Sequence, residues 1–125
     1  MRQAFAHTAV LVLEDGGDER TPGGAITLAL CGSWSHDPPC PLAPHHTRVH
    51  RAGGELTLRL LFAAEPGDEE RVRSVVDGVL ARGWGDSPDG SRTTWELVES
   101  YASSVLPEEE AHARRLVRSG GQAPT

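Results

Sequence analysis

Both cysteines of the chain, Cys31 and Cys40, and three of its histidines, His36, His45 and His46, fall within one short stretch. Thiolates and imidazoles are the donors zinc prefers, four of them around the ion at about 2.0–2.3 Å. Pro38, Pro39, Pro41 and Pro44 fix several backbone angles in the same stretch, which lowers the entropy lost in ordering it around a metal. The close cysteine pairs of zinc fingers and ribbons are missing, so the expected ligands are Cys31, Cys40, one of His45 and His46, and His36 or a water. Other chemistry fits the same residues. Cys31 and Cys40 could exchange as a thiol–disulfide pair, or the Cys40-Pro41 thiolate could ligate haem iron with a histidine opposite. Two Phe and one Tyr are few to line a porphyrin. Against all of these stands the plain reading, in which the cysteines are small apolar residues and the histidines ordinary strand residues.

Neighbouring residues suggest a ligand or partner surface. Trp34 would stack on a ligand or cap a sheet edge. Arg48 and Arg59 would be cross-strand neighbours, repelling unless an anion, a carboxylate or a partner lies between them. The alternative is a pair of solvated arginines splayed along the sheet. Ser33, Ser35, His36 and Asp37 contain the residue types of a nucleophile and base. Adjacent residues rarely reach triad geometry and no G-x-S-x-G turn is present, so hydrolase chemistry is set aside.

The elements that must position these residues follow from periodicity. Thr8 to Leu13 reads as a first strand, closed by Asp15-Gly16-Gly17-Asp18. Ala25 to Cys31 alternates and reads as a second strand running into the first cysteine. His45 to Arg51 and Glu55 to Ala63 form a hairpin through Gly53-Gly54. A two-residue turn there sets Val49 opposite Leu58, Thr47 opposite Leu60 and His45 opposite Phe62. His45 then faces the core, while His46 shares the other face with Cys31 and should be its partner.

Val72, Val75, Val76, Val79 and Leu80 mark one buried helical stripe, with Asp68 placed to cap it and Gly83 to end it. Arg92 to Val105 fits a strand or a helix. We read a strand, because the turn-forming Asp86-Ser87-Pro88-Asp89-Gly90 precedes it. A last helix runs from Pro107 to Arg118, acidic at its start and basic at its end. The expected fold is therefore α+β, in the order ββββαβα: one antiparallel sheet of four or five strands, two helices on one face. Residues 1–119 form one domain and 120–125 a flexible tail.

Acidic residues outnumber basic ones by 18 to 12, the reverse of what a phosphate-binding surface needs, so nucleic acid is not an expected partner. The apolar run from Ala9 to Leu13 is too short for a signal core or a membrane span, so the expected location is the cytoplasm. The functional expectation is a zinc-binding module that engages a protein or small molecule, with an uncovered apolar sheet face that would make it a homodimer. The alternative is an enzyme in which the ion keeps an open position.

Overall fold

The computed structural model describes residues 1–31 and 43–120. Trp34, His36 and Cys40 lie outside them, as do residues 121–125 of the expected tail. The sheet has five strands, β1 (Gln3–Leu13), β2 (His45–Ala52), β3 (Glu55–Ala64), β4 (Trp84–Asp86) and β5 (Arg92–Ser103). They lie in the order β2-β3-β1-β5-β4 with every neighbouring pair antiparallel. Three helices accompany them, α1 (Thr21–Cys31), α2 (Glu69–Arg82) and α3 (Glu110–Gly120). Since β1 and β2 both oppose β3, they are parallel to each other with β3 between; by the same logic β3 and β5 flank β1. The chain thus interleaves two split β-α-β units.

Residues 25–31, expected as a strand, are helix, and the order is βαββαββα rather than ββββαβα. A short apolar run satisfies either period, so alternation alone could not decide. Burial shows why the helix wins: Pro22, Ala25, Ile26 and Leu30 are buried at helical spacing, whereas Leu28, which a strand would group with Ile26 and Leu30, is 38% exposed. Gly23 lets α1 approach β2, because a Cβ there would come within 2.9 Å of Thr47 Oγ1.

The β2–β3 hairpin keeps the expected register, with Val49 opposite Leu58, Thr47 opposite Leu60 and His45 opposite Phe62. Gly53 takes φ +62°, the left-handed conformation the turn requires. Val72, Val76, Val79 and Leu80 of α2 pack with Ala9, Leu11, Leu56, Leu58, Leu60 and Phe62 of the sheet and with Ile26 of α1, forming the main core. Gly83 ends α2 at φ +82°, although the Asp68 side chain makes no capping bond.

The helices do not share one face as expected. α1 and α2 lie together on one side, while α3 lies on the other and buries Leu116 against Ala6, Leu61 and Ala63. Leu61 is therefore as well covered as Leu58, each on its own side. Beyond α3 the sheet leaves Val12, Val98 and Tyr101 exposed. Among the described residues no helix is long and apolar enough to cross a membrane.

Residues 92–103 are strand, but one with a fault in its alternation. Val10 pairs with Glu99 and Leu11 with Leu97, so Val98 is an extra residue. This β-bulge inverts the side-chain order beyond it. Trp95 and Leu97 join the main core, then Ser100 takes the same side, and Tyr101 is sent to the α3 side opposite Thr8.

Candidate functional site

The sheet divides the Cys/His cluster of the sequence. Cys31 ends α1 on the main-core side and reaches His45, its Sγ 3.9 Å from Nδ1. His46 points to the opposite face, so the expected Cys31–His46 pairing, which assumed a strand at Cys31, is not formed. Cys31 is disulfide-bonded, and the described residues include no free cysteine. His45 is held at both nitrogens. A carbonyl only accepts, so Nδ1, 3.0 Å from Ala43 O, carries the proton, and Nε2 accepts from Thr27 Oγ1 at 2.9 Å. No group of three or more His, Cys, Asp and Glu among the described residues is placed to hold a metal ion.

On the other face Arg48 and Arg59 sit opposite each other, and what lies between them is a carboxylate of the chain itself. Glu109, 5% exposed, accepts from Arg59 Nη2 at 2.6 Å and Nε at 2.9 Å, and from Arg48 Nη2 at 3.4 Å. Its Oε1 also accepts from the Leu106 backbone N–H. Arg59 extends further to Thr8 Oγ1, Ser103 Oγ and Ser104 O. The Arg59 guanidinium, followed by the Leu106 N–H against the opposing effect of burial, holds the Glu109 carboxyl below its usual range. Pro107 and the 3₁₀ turn over Pro107–Glu109 aim this side chain at the sheet and start α3. Beside it the rings of His46 and His112 stack with centroids 4.2 Å apart. Burial, then His112 and Arg48, lower the His46 pKa. The two rings border a cavity of about 70 Å³, also lined by Arg48, Arg59, Leu61, Glu108 and Glu109.

A second polar group lies on the main-core side. His7 is 2% exposed; its Nε2 is 2.8 Å from Ser100 Oγ and 3.2 Å from Asp77 Oδ1, and Ser100 Oγ donates to that same carboxylate oxygen. Ser, His and Asp are together, but in the wrong sense for nucleophilic catalysis. Arg73 Nη1 reaches His7 Nδ1 at 2.9 Å, and a guanidinium only donates, so Nδ1 is the acceptor and Nε2 carries the proton. The lone pair that a triad base would offer to serine is held by arginine. Arg73 also donates to Ala6 O at 2.8 Å, pairs with Glu69 and lies over the Phe62 ring at 5.3 Å. Burial above all, and Arg73, lower the His7 pKa against the pull of Asp77.

The sign of the pH effect follows. With its folded pKa below the ordinary 6.5, His7 binds fewer protons in the folded than in the unfolded chain. The stability it contributes is full above 6.5 and is lost as pH falls through the folded value. Glu109 acts in the same direction in the carboxylate range. Urea titrations across pH 7 to 5 should therefore show declining stability, with a shallower slope in His7→Gln; an unchanged slope would mean that His7 does not carry the effect.

The sequence reading missed this group. Its one available signal was His7 on a strand otherwise rich in apolar residues; the bulge that delivers Ser100 has none. The brace on Arg48 and Arg59 was half visible, as a repulsion that an anion, a carboxylate or a partner would relieve. No protein-family model, curated protein or solved structure matches the chain.

Proposed function

We propose that the protein is a non-catalytic binding or regulatory module whose Cys/His segment takes up zinc only after the Cys31 disulfide is reduced. The carrying observation is that His7 and His45 each have both ring nitrogens committed, leaving neither a lone pair with which to take a proton from a substrate. The zinc half is supported by the approach of Cys31 Sγ to His45 Nδ1. A disulfide sulfur offers no thiolate. A dithiol reductant converts it to thiols, and Nδ1 can serve only by releasing its proton and the Ala43 carbonyl. Cys40 and His36 would complete the ligand set. The surface we assign to a protein or small-molecule partner is the part of the sheet that α3 leaves open, where Val12, Val98 and Tyr101 are exposed.

Elemental analysis of chain purified without added metal and washed with a weak chelator tests the zinc half. About one zinc per chain is expected after reduction, almost none in the oxidised protein, and loss in Cys31→Ser. A reduced chain that retains no zinc after this wash would remove metal from this segment and leave the disulfide as a structural clamp.

A further inference from the structure

The sheet separates His46 from Cys31 and gives it a different companion, His112 of α3. We propose that His46 and His112 form a second, open site for a borderline divalent transition metal such as zinc, linking β2 to α3. It goes beyond the reading above and does not depend on the cysteines. Three observations carry it. Rings from distant parts of the chain are already in contact, with centroids 4.2 Å apart and planes at 38°. Unlike His7 and His45, neither ring accepts or donates a hydrogen bond among the described residues, so a lone pair on each is free of protein partners. The surrounding charge is balanced, since Arg48 and Arg59 are offset by Glu108 and Glu109 around the adjoining cavity.

Imidazole nitrogens bind zinc at about 2.0–2.1 Å, so two of them on a tetrahedral ion lie about 3.3 Å apart. Stacked rings at this separation reach that spacing by torsion about their side-chain bonds, and His46 is exposed enough to turn. Two protein ligands leave the other positions to water, with the Glu108 carboxylate lining the same cavity. Such a site binds more weakly than a closed four-ligand one and fills only when metal is supplied. Because the ion must displace protons from the imidazoles, affinity falls as pH is lowered.

The test is calorimetric titration of zinc chloride into metal-free, oxidised full-length chain and into a Cys31→Ser/Cys40→Ser variant. Binding of about one ion is expected in both, at least about tenfold weaker in His46→Gln and in His112→Gln, and unchanged in His50→Gln on the same strand. Imidazole resonances of His46 and His112 should shift together on zinc addition. Undiminished binding in both His46→Gln and His112→Gln, or no binding by the oxidised chain, would overturn the site. Binding abolished only by the cysteine substitutions would assign the ion to the Cys/His segment instead. Thermal unfolding of each variant in the absence of zinc separates lost metal binding from lost fold.

Discussion

Replacing Glu109 with Ala should lower stability by about 3–5 kcal/mol, the loss expected when one partner of a buried ion pair is removed. The carboxylate is almost fully buried and receives Arg59 through two nitrogens, Arg48 through one and the Leu106 backbone N–H. Without it, Arg59 keeps its charge beneath α3 with Arg48 directly across the strand pair, and a helix-start N–H loses its acceptor. Glu108→Ala, one residue away and exposed, should stay within about 0.5 kcal/mol. Urea midpoints at constant m decide it. Equal, small shifts in the two variants would show that the brace contributes nothing to the fold.

The second large effect is expected at Arg73. Arg73→Met retains apolar length but removes the donor to Ala6 O and His7 Nδ1, leaving the buried imidazole nitrogen without its partner at about 1–3 kcal/mol. It also removes the cation above the Phe62 ring. Combining it with His7→Leu should cost less than the sum of the single changes, because the double variant no longer buries an orphaned imidazole nitrogen. Strict additivity would mean that the arginine and histidine are neighbours without being coupled. Since His7 reaches Asp77 and Ser100 as well, its single substitution should also loosen the attachment of α2 to β5.

What the sequence disclosed depended on whether a single period was available. From His45 to Ala63 the alternation is long, Gly53-Gly54 fixes the turn, and the register was legible pair by pair. The valine stripe of α2 fits only a helical period. Ala25 to Leu30 satisfied both periods, and the missed helix carried a second error with it, since placing Cys31 on a strand set it beside His46 instead of His45. The position of α3 was not legible either. Its sequence describes an amphipathic helix but not which sheet face receives it; that depends on Leu61 and Ala63 offering an apolar patch on the side the hairpin reading left to solvent. Glu109 could not be singled out from Glu108 and Glu110 because its selection rests on the turn after Pro107.

The extra residue at Val98 makes β5 a ruler whose markings change phase partway along. Up to Leu97, odd positions look toward α1 and α2; from Ser100 onward, even positions do. Straightening the strand with Val98 kept would exchange Ser100 and Tyr101 between the two sides of the sheet, withdrawing the hydroxyl from His7 and sending a phenol into its place. The chemical identity of that buried neighbourhood is therefore held by a backbone irregularity rather than by a side chain. Removing Val98 itself, by contrast, would restore plain alternation with Ser100 still beside His7 and Tyr101 still on the α3 side.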